Sequence, residues 1–358
     1  MAIVFDNIIF SLQQAGGGSR FWSKIIEPWL DREDCLFVER NDSKKNIYRR
    51  NLRIQRTTAD HHSPRLFGRY LNFHRSFLGS PFLFHSSYYR VNCAAGCRNV
   101  TTVHDLIYEK FSSGLGAALH KRQKTAALHA SDWIVCVSEH TKKDLFGYYP
   151  FCQEKPVTVI PNGVEGFEQV GFDETFFASL GVHQPGSYFL YVGHRGSCKG
   201  FDRVYDVLDE LQGQLKCLVV GAPFTPEEKS RIEERGQTAG FIQAGRVTDE
   251  QLNYLYSNAR FFFFPSLYEG FGIPPLEAMQ AGCPVLASNS SSIPEVVGNA
   301  GVLFDPSDRH ELRTALMRVM DAGISRQLSI LGVERAAAYN WKRVIDGYAG
   351  VYSKLLDF

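Results

Sequence analysis

Short apolar runs alternating with longer stretches of helical periodicity recur along the whole chain in two series, and this rhythm is the signature of doubly wound α/β sheets. The first series is Ile3–Phe10, Cys35–Val38, Phe82–Phe84, Val100–Val103, Trp133–Val137 and Val157–Ile160. The second is Tyr188–Val192, Lys216–Val220, Phe241–Ala244, Arg260–Phe264, Pro284–Ala287 and Gly301–Phe304. Two series imply two sheets, and 358 residues are long for one hydrophobic core. The spacing predicts a domain over residues 1–165, a linker near 163–172 and a second domain over 172–338. Trp341, Val344, Ile345, Tyr348, Val351 and Tyr352 recur at helical spacing, so 339–358 is expected to be a packed amphipathic helix.

Composition excludes several classes. With 44% hydrophobic and 22% charged residues the chain reads as globular, and no apolar run approaches the roughly 20 residues of a membrane span. The start, Met1 to Asp6, lacks a basic region followed by an apolar core, so no signal peptide and a cytoplasmic location are expected. The eight cysteines are scattered, which points to reduced thiols; Cys93 and Cys97 have no local partners for a metal site. A net charge of +1 conceals a basic segment: residues 40–75 hold ten Lys or Arg against Asp42 and Asp60. Such a segment suits an anionic membrane, a phosphorylated lipid or a nucleic acid, or is a solvated face.

Four segments carry candidate chemistry. Glu269 and Glu277 stand eight residues apart across Gly270-Phe271-Gly272-Ile273-Pro274-Pro275, after a strand-like Phe run. Glu269 falls in the turn and Glu277 near a helix start, at the carboxyl end of a strand, where open α/β sheets bind ligands. Acids beside backbone N–H groups read sugar hydroxyls; the alternative for Glu277 is a first-turn acid favoured by the helix dipole. In Gly193-His194-Arg195-Gly196-Ser197-Cys198-Lys199-Gly200 two cations sit four apart on a turn, fitted to grip a diphosphate, and Lys199 precedes Gly200 in an order that is not a P-loop. The alternative is a surface pair of cations.

Gly16-Gly17-Gly18 after the first strand lets backbone approach a phosphate or sugar, or is a bare turn. It is not the dinucleotide fingerprint, because Phe21 stands where the third glycine belongs, although Glu39 lies where a ribose-binding acid would. Val103-His104-Asp105-Leu106 places a histidine after a buried strand, where a neutral imidazole could bond a sugar hydroxyl while Asp105 fixes its tautomer or meets the acceptor. A satisfied structural histidine is the alternative. Ser138 reads as a helix N-cap with Thr141 nearby.

In order, Gly16-Gly17-Gly18, Val103-His104-Asp105-Leu106, Val137-Ser138-Glu139, Ile160-Pro161-Asn162-Gly163-Val164, Arg195 with Lys199-Gly200, and Glu269 with Glu277 resemble the retaining glycosyltransferases of family 4. The resemblance covers nearly the whole chain. It implies the α/β GT-B fold, two Rossmann-like parallel-sheet domains facing a cleft, with the C-terminal helix crossing back to the N-terminal domain. It also implies that Arg195 and Lys199 bind the donor diphosphate, and that Glu269, Gly270, Phe271, Gly272 and Ile273 meet the donor sugar. Glu277 would bind the ribose, Arg246 and Val247 would flank the base, Gly17 and Gly18 would approach the donor, and His104 would touch the transferred sugar.

The implied reaction moves a hexosyl group, mannose favoured, from a GDP- or UDP-linked sugar to a saccharide or lipid-linked acceptor with retention of configuration. No cofactor or metal is expected: the chain has no Asp-x-Asp, and cations would stand in for the metal. On the acceptor side Asp105, Arg49, Arg50 and Arg53 are candidates, within a basic segment interleaved with Tyr48, Phe67, Tyr70, Phe73 and Phe77 that could meet the inner face of the cytoplasmic membrane. A nucleotide-sugar epimerase and a carbohydrate- or nucleic-acid-binding protein are the alternatives. The charge near zero argues against a dedicated nucleic-acid binder.

Overall fold

In the computed structural model, which describes residues 2–60, 68–77 and 81–356, the apolar runs become strands of two wholly parallel sheets. The first contains β1 (Ala2–Asp6), β2 (Cys35–Glu39), β3 (Thr57–Ala59), β4 (Phe82–Ser86), β5 (Cys97–Val103), β6 (Trp133–Cys136) and β7 (Val157–Val159). Their order is β3-β2-β1-β4-β5-β6-β7, with β1 paired in register to both β2 and β4. The second contains β8 (Tyr188–Val192), β9 (Lys216–Val220), β10 (Phe241–Gly245), β11 (Phe262–Phe264), β12 (Val285–Ser288) and β13 (Val302–Phe304). Its order is β10-β9-β8-β11-β12-β13. Chain direction across each sheet therefore reverses at one seam, between β1 and β4 and between β8 and β11, and the carboxyl side of such a switch point is where open α/β sheets bind ligands.

The chain divides into two units, Met1–Asn162 with Trp341–Phe358, and Gly163–Asn340. In the first, the helix Trp341–Leu356 buries Trp341, Val344, Tyr348, Val351, Tyr352 and Leu355 on one stripe, against a core that includes Phe5, Trp22, Trp29 and Phe37. Phe5 stacks on Phe37 at 5.4 Å and meets Tyr352 edge-on at 6.0 Å. Each such side chain contributes roughly 1.5–3 kcal/mol by leaving water, which is why this helix packs with the first sheet. In the second unit, Phe189, Phe261, Phe263 and Phe304 form the sheet's core layer with Val204, Leu208 and Leu312 of flanking helices. Among the described residues no helix is long and apolar enough to cross a membrane.

Two elements differ from the sequence pattern. The run Ile3–Phe10 is not one strand: β1 stops at Asp6 and Ile9–Leu12 is helical, with Phe10 N–H bonded to Asn7 O at 3.1 Å. Asp6 ends the strand because its carboxylate turns to Arg90 and Ser86. The edge strand β3 gives no hydrophobic signal, since Thr57-Thr58-Ala59 is exposed or half-exposed and is held by pairing with β2.

The C-terminal helix is tied to the sheet by polar bonds as well. Tyr352 Oη lies 2.6 Å from His85 Nδ1, His85 Nε2 lies 3.0 Å from Thr102 Oγ1, and Tyr348 Oη lies 2.9 Å from the same Thr102 oxygen. Burial pushes the His85 imidazole pKa down to about 3, with His104 adding to the effect, so the ring is neutral and needs both partners. Tyr352→Phe should destabilise this unit by about 1–3 kcal/mol, because His85 Nδ1 is left buried without a partner; an unchanged midpoint in urea unfolding would contradict the network.

Candidate active site

The loops that leave β8 and β11, on either side of the seam in the second sheet, are locked together by backbone contact. Gly200 has φ +62°, and a Cβ there would lie 2.1 Å from Pro265 O, so only glycine lets the two chains pass this closely. Leu267 N–H donates to Cys198 O at 2.8 Å across the same contact. With the loops fixed, Lys199 and Glu269, seventy positions apart, meet: Lys199 Nζ donates to Glu269 Oε1 at 2.7 Å. The two side chains remain 26% and 14% exposed, so the pair is reachable by a ligand.

The Glu269 turn is held from behind by residues with no warning in the sequence beyond a cluster of serines after β12. Ser291 Oγ accepts from Glu269 N–H at 2.8 Å, and Ser292 Oγ donates to the carbonyls of Glu269 and Phe271 at 3.0 and 2.8 Å. Ser291 sits at φ +51°, a conformation costing a non-glycine residue on the order of 1–3 kcal/mol. Gly270, Phe271 and Gly272 complete the turn and are buried, with Gly272 at φ +101° as the N-cap of the helix Ile273–Gln280. Pro274 and Pro275 have no N–H, and the N–H groups of Phe271 and Gly272 make no bond among the described residues.

Glu277 lies in the second turn of that helix, not the first, which removes the dipole explanation for it. It is 6% exposed, and Tyr256 Oη donates to its Oε2 at 3.3 Å. Arg246 is exposed and Val247 half-buried where β10 passes into the helix Asp249–Asn258, capped by Thr248. Arg195 is held on another partner: its guanidinium donates to Glu228 and to the carbonyls of Ala222 and Pro223. Burial opposes ionisation of Glu228, but the bonds from Arg195 and Thr225 outweigh it and hold its pKa below the usual carboxylate range. A cavity of about 280 Å³ adjoins Arg195, lined also by Ser197, Phe201, Asp202, Glu228 and Arg231.

In the first unit, Gly17 and Gly18 form the first turn of the helix Gly17–Ile26. Gln13 Oε1 takes the Ser19 N–H at 3.2 Å, and a Cβ on Gly17 would meet nothing within 4 Å, so the fold itself does not require that glycine. Phe21, the residue that breaks the dinucleotide pattern, is buried and meets the His104 ring edge-on at 4.8 Å. The glycine turn and His104 are thus brought together. Burial lowers the His104 pKa, Lys124 lowers it further and Asp105 opposes both, so the ring is neutral near pH 7; its nitrogens make no hydrogen bond among the described residues.

Asp105 does not fix the His104 tautomer. Its Oδ1 caps Ile107 N–H at 3.0 Å, while its carbonyl accepts from Lys124 Nζ at 3.1 Å. Lys124, one of several lysines and arginines in its helix and unmarked by any motif, is fully buried and bonds Glu109 Oε2 at 2.8 Å, anchoring the His104 loop from beneath. Arg90 is the other unforeseen buried cation: it is paired with Asp6 and, at 2.9 Å, with Asp60, at the carboxyl end of the first sheet.

Two expectations are corrected. Arg49 is no acceptor contact, because it is 6% exposed and its guanidinium is spent on both Glu39 oxygens, at 2.5 and 2.8 Å, and on Leu52 O. Glu39 is therefore no ribose reader, being shared between Arg49 and Asn7. Arg50 and Arg53 are exposed, as are Lys44, Lys45 and Arg56. Arg65 and Phe67, counted in the basic segment, lie outside the described residues. Among the described residues no three His, Cys, Asp or Glu side chains converge as a metal site.

Residues 172–329 match the family described as glycosyl transferases group 1, and residues 36–165 match glycosyltransferase family 4. The chain belongs to the group 1, family 4 glycosyltransferases. It is 34% identical over 176 residues to the O-antigen chain mannosyltransferase B of Escherichia coli, covering 47% of this chain and 46% of that protein. It is 26% identical over 275 residues to the serotype-specific mannosyltransferase WbdA of Escherichia coli, covering 72% of this chain and 34% of that one. The chain thus spans less than half the length of these relatives. The solved sucrose-phosphate synthase from Thermosynechococcus elongatus superposes with a TM-score of 0.76 at 20% identity, over 100% of this chain and 99% of that one, and shares the GT-B fold.

If the loop seam positions this site, Gly200→Ala should cost stability of roughly 2–4 kcal/mol, from backbone overlap and positive φ together. The Lys199–Glu269 pairing should be lost with it. A variant that melts like the parent would show that the seam can yield.

Proposed function

We propose that the chain transfers a hexosyl group, mannose by preference, from a nucleotide-diphosphate sugar to a saccharide or lipid-linked acceptor, with retention of configuration and without a divalent metal. The observation that carries this reading is the Lys199–Glu269 pair, 2.7 Å apart at the carboxyl ends of β8 and β11. A carboxylate that holds an ammonium through one bond can release it to a phosphate oxygen and then accept bonds from sugar hydroxyls. The ammonium would take up the charge that grows on the leaving diphosphate as the glycosidic bond breaks. Uncommitted N–H groups at Phe271 and Gly272 suit the same sugar, and the buried Glu277 suits a pair of ribose hydroxyls. Arg246 and Val247 are assigned to the base.

From the first unit we assign Gly17 and Gly18 to close backbone approach, and the neutral, unbonded His104 to a hydroxyl of the transferred sugar. No side chain is assigned as general base: the acceptor hydroxyl gives its proton to a donor phosphate oxygen on the face from which the diphosphate leaves. Mannose and a cell-surface polysaccharide are supported by the two Escherichia coli mannosyltransferases. The exposed Lys44, Lys45, Arg50 and Arg53 are assigned to an anionic lipid surface or a lipid-linked acceptor on the cytoplasmic side. Charge reversal at Arg50 and Arg53 should release the protein from anionic vesicles, and unchanged vesicle binding would remove that assignment.

A hydrolysis screen over GDP-mannose, UDP-glucose and UDP-galactose should show the fastest turnover with GDP-mannose, unchanged by EDTA. Preference for a UDP-sugar would reject the mannose assignment, and activity restored only by magnesium or manganese would reject metal independence. Lys199→Ala should lower kcat by about 10²-fold or more, whereas Glu277→Ala should weaken nucleotide binding about tenfold with a smaller effect on kcat. Full activity in both variants would mean the site lies elsewhere.

A further inference from the structure

In the first unit, aromatic rings that follow two neighbouring strands gather on one histidine. His120, in the helix Gly114–Ala130, is 4% exposed. The Tyr108 ring, from the helix Ile107–Phe111 after β5, stacks on its imidazole at 3.9 Å. Tyr89, after β4, meets the imidazole edge-on at 5.5 Å, and Tyr88 Oη lies 3.0 Å from Nδ1. Burial pushes the His120 pKa down to about 4, with Lys124 and Arg69 adding to the effect and Glu109 and Asp105 opposing it, so the ring is neutral near pH 7. Tyr108, by contrast, is 39% exposed: a ring fixed from one side and still wetted.

The same cluster leaves a donor and an acceptor unspent. Arg69, in the turn Gly68–Tyr70, lays its guanidinium over the Tyr70 ring at 4.6 Å and donates from Nη2 to the Tyr70 hydroxyl, and the Tyr88 and Tyr108 hydroxyls are near enough to act on its charge. Its buried Nε has no partner among the described residues. Gln123 is 8% exposed and stands three residues after His120 in the same helix. Its Nε2 donates to the Arg69 carbonyl, which leaves Oε1, also buried and without a partner among the described residues, as an open acceptor. Unpaired buried polar atoms cost stability, and two in one cluster are a cost that a ligand can remove.

The pair of open atoms says what kind of ligand. A phosphate or carboxylate offers acceptors only, so it could take the Arg69 N–H but would set oxygen against the Gln123 oxygen. A hydroxyl both donates and accepts. A sugar ring adds an apolar C–H face, which suits an exposed, rigidly held tyrosine, and aromatic walls with a few placed polar atoms are the usual make-up of a ligand site. Tyr108 also lies three residues after Asp105 and four after His104, in the stretch that leads from β5.

On the reading above, we propose that Tyr108, His120, Arg69 and Gln123 form the acceptor subsite, and that the group it takes is an uncharged sugar residue. The sugar ring lies on Tyr108, and its hydroxyls take up the Arg69 N–H and the Gln123 oxygen. Tyr88 and Tyr89 are positioning residues that hold His120, and through it Tyr108.

Saturation-transfer NMR on the full chain with excess GDP, using the methyl α-glycosides of mannose, glucose, galactose and N-acetylglucosamine as probes, reads this subsite. At least one glycoside should bind. Tyr108→Ala should weaken that binding about tenfold or more, whereas Tyr108→Phe should keep it, because the ring rather than the hydroxyl supports the sugar. Inorganic phosphate should not displace the glycoside. Calorimetric titration of GDP and UDP into the same proteins reads the donor site separately.

If GDP or UDP binds but no glycoside does, or if Tyr108→Ala holds the glycoside as well as the parent, the subsite is wrong and the donor reading survives it. Displacement by phosphate would make the cluster an anion site and overturn the proposal equally. If a glycoside binds through Tyr108 but neither GDP nor UDP binds, the donor reading falls, and the cluster is a sugar site without the acceptor role given to it here.

Discussion

The tight passage of Gly200 beside Pro265 O, which leaves no room for a Cβ, is the constraint on which the candidate site rests. It joins the loop after β8 to the loop after β11, and Arg195, Lys199, Glu269 and Glu277 all follow one or the other. Because the contact is backbone against backbone, it holds whatever the side chains do. Lys199 can therefore change partners without moving its scaffold, and Glu269 is steadied separately by Ser291 and Ser292. The function proposed above, in which a charged donor is gripped and released, needs this division, with fixed main chain and exchangeable side-chain bonds.

The first unit solves a different problem, that of polar groups at the carboxyl end of a fully parallel sheet. Arg90, with no exposed side-chain surface, is shared by Asp6 and Asp60 and also bonds Gly68 O. Breaking such a cluster on one side typically costs about 3–5 kcal/mol, because the remaining charge stays buried. His85 and Lys124 are similarly boxed in, the first by Tyr352 and Thr102, the second by Glu109 and the Asp105 carbonyl. Against this ordered background, His104, with its ring on Phe21 and its nitrogens unbonded among the described residues, is the exception.

Much of this was legible before any coordinates. All six strands of the second sheet stand where apolar runs are, and the inner strands β8, β11 and, up to Ala287, β12 are continuously apolar because both their faces are buried. Ser138 caps its helix through Thr141 N–H at 2.9 Å, as its spacing foretells. The edge strand β3 was hidden because an exposed strand carries no hydrophobic signal, and Phe10 was misplaced because a buried helical turn and a buried strand are equally apolar. Arg49 looked like part of a basic face, but a charge count cannot see that Glu39, ten residues earlier, lies on the adjoining strand end and claims it.

What the sequence determined by itself was the alternation that demands parallel sheets, the glycines that permit the tight turns, and the identity of the charged groups, because these are local properties of residue type and spacing. What only the tertiary structure decided was pairing. Lys199 meets Glu269 because sheet order sets β8 beside β11, and Arg195 meets Glu228 because the segment after β9 lies along the same loop. A charge's function follows from which opposite charge is within about 3 Å and how much water remains, and neither distance nor solvent is written along the chain.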